Sequence, residues 1–403
     1  MNNLLSNVDS LGYYKVGTTT YTSKTIAYSE SLRTSDKLHY IYNDDIFRKY
    51  DWTVEPEPSV GINEFYRRRA QQLRDNYDYI VLQYSGGPDS QNVLDTFLNY
   101  DIPLDEIVNF NSYASTQIVQ GTTHNADYLY NVKPVVESII KEKGNAIKIT
   151  IVDEVDMTKK VWKEYADKDY FELLFSSGTF PSVWMMRGIW IKHIPHIWNK
   201  ILEGKRVCIV LGTDKTMLRL NTTIKKYYTD FNDILSTDTA TLALADKDLN
   251  GHSVTELFYH TPSMPDLTIK QAHLIKNYVD KVTDVNQFEP LALHTGKETR
   301  HAFNCCSKMF PKMNLKYEQY HKIVYPWWKT NIVTPKPAYF GNRSMDCWWV
   351  DKLEESDKRV WTNGIEKYLK SFSSGITRMG NNITTIPIVF TKPYYLEQIK
   401  YTE

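Results

Sequence analysis

Residues 79–90 constrain the fold of this chain more than any other segment, since they join a strand to a helix through a glycine-rich turn. The segment reads YIVLQYSGGPDS, and its apolar first half is typical of a buried strand that is covered on both faces. Apolar residues then recur at helical spacing, at Val93, Leu94, Phe97 and Leu98. This strand–turn–helix order predicts an α/β fold in which helices cover a parallel sheet.

The turn carries residue types that bind phosphate groups. Gly86 and Gly87 let the backbone approach an anion closely and direct N–H groups at it. The start of the following helix adds a partial positive charge, and the hydroxyls of Ser85 and Ser90 are further donors. Asp89 would repel a bare phosphate, so its presence indicates a bridging Mg²⁺ ion for which it is the ligand. An ordinary strand–turn–helix connection is the alternative, and the sequence context favours the phosphate site.

The SGGPDS turn (residues 85–90) resembles the SGGxDS signature of the PP-loop ATP pyrophosphatases, also called adenine nucleotide alpha hydrolases. It lacks the GxxxxGK[ST] spacing of a Walker A loop and the GxGxxG of a Rossmann dinucleotide site. The resemblance covers the middle of the chain and leaves both flanks unassigned. It implies a Rossmann-like parallel sheet of the HUP/PP-loop type, with ATP and Mg²⁺ as cofactors.

Three regions are predicted along the chain. Residues 1–62 form a β-leaning N-terminal extension, residues 63–230 the PP-loop nucleotide-binding domain, and residues 231–403 a mixed α/β region for substrate binding or interactions. Short apolar runs rich in β-branched residues predict four core strands, at Tyr79–Tyr84, Ile107–Phe110, Ile147–Val152 and Arg206–Leu211. Apolar stripes predict helices at Asn63–Asp75, Asp127–Lys143, Leu267–Val282 and Trp184–Glu203, the last with a break at Pro195.

The residues that follow the predicted strands should lie close together, because ligands of open parallel sheets bind beyond the carboxyl ends of the strands. Phe110 and Asn111 stand at the end of the second strand, where members of the family meet adenosine. The resemblance therefore implies an adenosine contact for both residues. For Asn111 a turn-capping role is the alternative.

The segment VLGTDKTMLR (residues 210–219) resembles the second conserved loop of the family. Gly212 permits a close backbone approach, and Thr213 and Asp214 are candidates to orient metal or substrate. Lys215 places a positive charge where negative charge develops on the phosphates. A simple turn with a solvated Asp–Lys pair is the alternative.

Arg187 lies in the apolar stretch SVWMMRGIW, so a buried guanidinium there needs an anionic partner. Several members of the family carry an Arg in this region that contacts phosphate, which makes Arg187 a candidate for the same role. A structural ion pair is equally compatible with the sequence.

The resemblance implies an ATP-dependent, AMP-forming enzyme that adenylates a carboxylate, amide or nucleobase carbonyl, releases pyrophosphate and then exchanges AMP for a nucleophile. Asp89, Lys215 and Arg187 are its predicted catalytic residues. A sulfonucleotide-binding or sulfur-transfer relative and a non-catalytic nucleotide-binding regulatory protein remain open as alternatives. The C-terminal sequence PYYLEQIKYTE contains no cysteine, whereas the sulfonucleotide reductases need a reactive one there.

Composition argues against several other classes. Lys and Arg total 48 and Asp and Glu total 48, so no net basic charge favours nucleic acid or an anionic membrane surface. The 4 cysteines are too few for a disulfide framework, which fits a cytoplasmic protein. The sequence shows neither a signal peptide nor an apolar run long enough for a transmembrane helix. The expected partners are ATP and an unidentified acceptor, which is a small molecule or a nucleic-acid base, and homo-oligomerisation stays open.

Overall fold

A parallel sheet of five strands forms the centre of the protein, and smaller antiparallel sheets accompany it. The computed structural model describes residues 12–21, 24–111, 127–144, 146–153, 156–157, 159–160, 191, 193–212, 215–221, 223–233, 253–282, 300–303, 323–327, 354–359, 363, 378–379, 382–383 and 389–398. Three predicted site residues, Arg187, Thr213 and Asp214, lie outside these ranges. Within them, no helix has both the length and the apolar character that a membrane span requires.

The elements alternate between strands and helices through the middle of the chain. The strands are β1 (Tyr13–Val16), β2 (Thr19–Tyr21), β3 (Leu38–Ile41), β4 (Tyr79–Gln83), β5 (Glu106–Asn111), β6 (Lys148–Asp153), β7 (Val207–Leu211), β8 (Leu218–Asn221), β9 (Lys226–Thr229), β10 (Ser253–Leu257), β11 (Arg300–Phe303), β12 (Arg378–Met379), β13 (Asn382–Ile383) and β14 (Tyr394–Tyr395). The α-helices are α1 (Lys24–Thr34), α2 (Asp44–Phe47), α3 (Ile62–Asn76), α4 (Pro88–Asn99), α5 (Lys133–Lys143), α6 (Pro195–Leu202) and α7 (Pro265–Val282).

The strand order in the parallel sheet is β6-β5-β4-β7-β10, and every neighbouring pair is parallel. Numbered along the chain within this sheet, the order is 3-2-1-4-5, which matches the first five strands of the Rossmann order 3-2-1-4-5-6. The chain passes from β4 through β5 to β6 and then returns to the other side of β4 with β7. The predicted Rossmann-like parallel sheet is therefore confirmed, and its topological switch point lies between the carboxyl ends of β4 and β7.

Two antiparallel sheets flank this arrangement in sequence. The N-terminal sheet has the order β2-β1-β3, and a second sheet has the order β11-β8-β9-β14. The second sheet pairs residues directly after the parallel strand β7 with residues near the C-terminus, such as Tyr394 opposite Thr229. A short pair, β12 with β13, completes the described strands.

Each of the four predicted core strands matches an observed strand to within one residue at either end. The fifth strand, β10, is not predicted by the sequence pattern, because SVTEL mixes polar with apolar residues. Helix α1 is likewise unpredicted within the β-leaning N-terminal extension. The predicted helix Asp127–Lys143 begins as a π-helical turn, Asp127–Val132, and continues as α5. The break expected at Pro195 is confirmed, because Ile194 is extended and α6 begins at Pro195, where proline suits the first turn of a helix. Residues 184–190 and 192 of the predicted helix lie outside the described residues.

A buried carboxylate joins three elements at the amino ends of the parallel strands. Glu106, the first residue of β5, is fully buried and accepts a hydrogen bond from the Tyr79 hydroxyl at 2.7 Å. Its other oxygen lies 2.8 Å from Nε2 of His196 on α6. Because buried carboxylates are costly unless they are hydrogen-bonded, these contacts fix β4, β5 and α6 to one another on the edge opposite the SGGPDS turn.

A second buried carboxylate links the two ends of the chain. Asp233 forms an ion pair with Lys24 of α1 at 2.7 Å, and both side chains are fully buried. The Tyr14 hydroxyl donates to Asp233 at 3.1 Å, and the backbone N–H of Val389 donates to its other oxygen at 3.1 Å. Burial lowers the pKa of the Lys24 ammonium, an effect that the adjacent carboxylate opposes. This single cluster therefore connects the N-terminal sheet, α1 and the C-terminal segment.

Two side chains of α7 form further polar contacts with the N-terminal extension. Nε2 of His273 donates to the Trp52 carbonyl oxygen at 2.9 Å, and Lys270 forms an ion pair with Glu55 at 2.7 Å. Burial lowers the pKa of His273 below its ordinary value, and the positive charges of Lys276 and Lys270 act in the same direction. The carbonyl of Trp52 and the carboxylate of Glu55 oppose this shift without cancelling it. His273 is thus held as a neutral donor.

We predict that Lys24→Met lowers the free energy of unfolding by about 3–5 kcal/mol, because it leaves the Asp233 carboxylate buried without its cation. The double variant Lys24→Met/Asp233→Leu should recover much of this loss, since no buried charge remains. Urea unfolding of the wild type, both single variants and the double variant measures the coupling. Surface substitutions usually change the free energy of unfolding by no more than about 0.5 kcal/mol. Losses this small in the single variants would contradict the assignment of a buried ion pair.

We also predict that stability falls as the pH decreases from about 7 to about 5, in part through His273. The unfolded chain binds a proton on this histidine at its ordinary pKa, whereas the folded state resists protonation because its pKa is lowered. The stabilisation is therefore complete above the unfolded pKa and is lost as the pH falls through the folded pKa. His273→Gln retains a donor for Trp52 but does not titrate, so its unfolding free energy should depend less steeply on pH. Parallel pH profiles for the two proteins would refute the prediction.

Candidate functional site

The SGGPDS turn leaves β4 at the switch point and adopts a shape that depends on Gly86. This residue has a φ of +76°, a left-handed conformation that residues with side chains rarely adopt. A Cβ atom there would lie 2.8 Å from Cγ2 of Val132. Helix α4 then begins at Pro88, whose missing N–H is not needed in the first turn. The amide groups that follow have no acceptor within the helix and are available to an anion.

The two serines of the turn hold it closed. Ser90 is buried, and its hydroxyl oxygen accepts a hydrogen bond from the backbone N–H of Ser85 at 3.2 Å. The same hydroxyl donates to the Gly87 carbonyl oxygen at 3.2 Å. The hydroxyl of Ser85 lies 3.2 Å from that of Ser90. Ser90 therefore shapes the turn from within, in addition to the phosphate-binding role predicted for it.

Gly212, directly after β7, brings the second loop against the turn. A Cβ atom at this position would lie 2.8 Å from Cα of Ser90 and 3.0 Å from the carbonyl oxygen of Asp89. The two backbones are thus in contact, with no room for a side chain between them. Thr213 and Asp214 come next and lie outside the described residues. Lys215, which follows them, is again described and is buried.

The carboxylate of Asp89 and the ammonium of Lys215 lie side by side at this junction. Lys215 Nζ is 3.7 Å from Oδ1 of Asp89, and the Asp89 side chain is 23% exposed. Oδ1 also accepts a hydrogen bond from the hydroxyl of Tyr325. Among the described residues, none donates a hydrogen bond to Oδ2. Two of the three predicted catalytic residues, Asp89 and Lys215, therefore form an ion pair, with one carboxylate oxygen directed at protein groups.

Asn111, a predicted adenosine contact, lies at the carboxyl end of β5 next to the turn. It is 7% exposed, and its Oδ1 accepts no hydrogen bond from any described residue. Asn109 lies two residues earlier on the same face, and its Nδ2 donates to the Tyr84 carbonyl oxygen at 2.8 Å. The Oδ1 of Asn109 is likewise without a partner in the described part of the chain. Buried acceptors of this kind normally bond to water or a ligand, so this face of β5 can receive N–H or O–H donors.

Phe110, the other predicted adenosine contact, lies between these two asparagines in β5. Successive side chains of a strand alternate between its faces, so Phe110 is directed away from Asn111. The two predicted contacts therefore do not share one face of the sheet. A single adenosine would contact both side chains only if it extended past the end of β5 and touched both faces of the sheet.

Two tyrosines at the site are not predicted from the sequence. The Tyr259 hydroxyl donates to the Asp89 carbonyl oxygen at 2.8 Å and accepts from Asn92 Nδ2 at 3.0 Å. Burial raises the pKa of Tyr259, so this hydroxyl remains a protonated donor. Tyr259 follows β10 and would have been included had that strand been recognised. Tyr325 lies in no strand or helix pattern, so the sequence around it does not indicate that it belongs to the site.

The donor set fits a Mg²⁺ ion held jointly with a phosphate group. Mg²⁺ is commonly bound through one or two carboxylates together with waters and substrate phosphates. Asp89 provides one such carboxylate at the edge of the turn. In the ranges that the structure describes, no group of three or more His, Cys, Asp or Glu residues is placed to hold a metal on its own. The arrangement therefore suits a metal that arrives with a nucleotide more than a permanently bound one.

Comparison with known proteins leaves these residues as the basis for inferring function. The SGGPDS turn, with Asp89, meets Lys215 at the switch point. Arg187, Thr213 and Asp214 lie outside the described residues. No protein-family model matches the chain, and none of the curated proteins is significantly similar to it.

Proposed function

We propose that this protein is an ATP-dependent, AMP-forming enzyme of the PP-loop type. It would adenylate a carboxylate, amide or nucleobase carbonyl and release pyrophosphate. The observation that carries the proposal is the position of the SGGPDS turn at the switch point of a 3-2-1-4-5 parallel sheet, with Lys215 Nζ 3.7 Å from Asp89.

The chemistry balances as two displacements. An oxygen of the acceptor attacks the α-phosphorus of ATP, the bond from that phosphorus to the bridging oxygen breaks, and pyrophosphate leaves with the electron pair. A nucleophile such as ammonia, an amine or sulfide then attacks the activated carbon, and AMP leaves. Little covalent chemistry is required of the protein, whose contributions are positioning and charge stabilisation.

The residues of the switch point have separate roles in this scheme. The SGGPDS turn and the start of α4 would hold the pyrophosphate portion with backbone N–H groups. Lys215 would place its charge on the α-phosphate or on the leaving pyrophosphate. Asp89 would hold Mg²⁺, which supplies charge neutralisation on the phosphate oxygens when it is bound. The Oδ1 of buried Asn111, which accepts no hydrogen bond from any described residue, would accept a donor from the adenosine portion.

Two other functions use the same turn. A sulfonucleotide-binding or sulfur-transfer relative would bind a related nucleotide at this turn. A regulatory protein would bind ATP without cleaving it. The pairing of Asp89 with Lys215 is compatible with all three functions, because a lysine neutralises bound phosphates whether or not they are cleaved. Formation of AMP and pyrophosphate distinguishes catalysis from regulatory binding.

We predict that Asp89→Asn lowers the formation of AMP and pyrophosphate by about 100-fold, the scale of a lost stabiliser of transition-state charge. The assay supplies Mg·ATP with a panel of carboxylate, amide and nucleobase acceptors. Asp95→Asn is the matched control, since it makes the same change on α4 at a residue bonded to Gln91 at 2.8 Å and should retain wild-type rates. ADP with phosphate as products, or no binding of ATP, would overturn the proposal. ATP binding without turnover on any acceptor would favour the regulatory alternative.

Glycine variants test whether a phosphate approaches the turn. Gly87 has an ordinary φ of −78°, and among the described residues a Cβ there would meet only Ser85 Oγ, at 3.5 Å. We predict that Gly87→Ala keeps the thermal unfolding midpoint and weakens ATP binding about tenfold, which is about 1.4 kcal/mol. Gly212→Ala should instead lower the free energy of unfolding by about 1–3 kcal/mol, because its methyl group overlaps the Ser90 backbone. Unchanged ATP affinity in a folded Gly87→Ala variant would argue against phosphate binding at this turn.

A further inference from the structure

Tyr325 reaches the SGGPDS turn from a segment far away in sequence. It is 1% exposed, and its hydroxyl donates to Oδ1 of Asp89. The preceding residue, Val324, is fixed by its carbonyl oxygen, which accepts a hydrogen bond from the Tyr66 hydroxyl at 2.7 Å. The segment containing Tyr325 is therefore anchored on α3, and the contact with Asp89 is supported by a buried hydrogen bond beside it.

The same segment is anchored a second time on the other side of Tyr325. The ring of Trp327 meets that of Tyr100 edge-on, with centroids 5.7 Å apart. Tyr100 directly follows α4, the helix that starts in the SGGPDS turn. Contacts on both sides of Tyr325 thus hold its hydroxyl at the turn.

Asp89 is held at two points by two tyrosines. Tyr259 donates to its backbone carbonyl oxygen at 2.8 Å, and Tyr325 donates to its side chain. The two rings lie 6.3 Å apart between centroids. The main chain and the carboxylate of Asp89 are therefore positioned independently, each by a separate buried hydroxyl.

The Tyr325 hydroxyl and the Lys215 ammonium approach the same carboxylate oxygen. Lys215 Nζ stays 3.7 Å from Oδ1, whereas direct charge-assisted hydrogen bonds measure about 2.7–2.9 Å. The ammonium lies 5.4 Å from the centroid of the Tyr325 ring, within range of a cation–π interaction. Tyr325 thus occupies Oδ1 with its hydroxyl and lies against the lysine with its ring.

We propose that Tyr325 is a positioning residue that directs Oδ1 of Asp89 towards the protein and presents Oδ2 to a divalent cation bound with the nucleotide phosphates. This inference rests on the proposed function, and it adds a residue from outside the parallel sheet to the metal-binding apparatus. Without the hydroxyl, Oδ1 loses a buried donor, and the carboxylate is no longer fixed with Oδ2 towards the cation. Hydrogen-bond partners of metal-binding carboxylates typically change metal affinity or activity by about 10–100-fold when they are removed.

The test is the Mg²⁺ concentration that gives half-maximal binding of α,β-methylene-ATP, an analogue that cannot be cleaved at the α/β position. Tyr325→Phe keeps the ring and its packing and removes only the hydroxyl. We expect the half-saturating Mg²⁺ concentration to rise by about 10–100-fold in this variant. The thermal unfolding midpoint of each protein is measured alongside, so that loss of fold is recognised directly.

Tyr77→Phe is the matched control. It removes a tyrosine–carboxylate hydrogen bond of 2.7 Å, to Glu256, away from the SGGPDS turn. Its Mg²⁺ dependence should equal that of the wild type within about twofold, which is the difference expected for a substitution without coupling to the site. A similar rise in the half-saturating Mg²⁺ concentration of both variants would show a general effect of removing a tyrosine hydroxyl. It would overturn the assignment to Tyr325.

The remaining outcomes separate this inference from the proposed function. Wild-type Mg²⁺ dependence in a folded Tyr325→Phe variant overturns the role of Tyr325 and leaves the proposed function intact. A lower half-saturating concentration overturns it too, because the hydroxyl would then compete with the cation. If the wild type fails to bind the analogue at any Mg²⁺ concentration, the proposed function and this inference both fail.

Discussion

The contact between the backbones of Gly212 and Ser90 is the constraint on which the arrangement of the site depends. Strands β4 and β7 are neighbours, so the loops that leave their carboxyl ends must share the space directly above them. An added Cβ at Gly212 would lie 2.8 Å from Cα of Ser90, so only glycine lets the second loop pass at this height. Lys215 reaches Asp89 because the two loops touch. The charged pair is thus a result of backbone packing as much as of electrostatic attraction.

Local patterns in the sequence were sufficient for four of the five strands of the central sheet. The runs that became β4, β5, β6 and β7 are apolar and β-branched, which is the pattern of strands buried on both faces. Once these strands are aligned in parallel, the residues after each one fall at a single edge, so Asp89, Asn111 and Gly212 can be grouped before any coordinates are known. The same logic fails for β10, whose sequence SVTEL lacks a continuous apolar run, and Tyr259 was missed with it.

Other features depend on contacts that no local pattern encodes. Tyr325 meets Asp89 across 236 positions of sequence, and the contact follows from the packing of its segment on α3 and α4. The hydroxyl of Ser90 was predicted to face a ligand, yet it also bonds to the turn itself, a choice that depends on the conformation of Gly86. Pro195 interrupts the helical pattern as expected, and the start of α6 at this residue follows from its restricted φ, which suits the first turn of a helix.

The cluster around Asp233 has a consequence for how the protein opens. The carboxylate binds Lys24 and Tyr14 near one end of the chain and the N–H of Val389 near the other, and its own N–H donates to the Val389 carbonyl oxygen at 3.1 Å. If either segment detaches, the buried Asp233 carboxylate loses part of its hydrogen-bond and ion-pair partners. The amide hydrogens of β1, α1 and the segment that starts at Val389 should therefore exchange with solvent in one concerted opening, so these parts of the chain form a single cooperative folding unit.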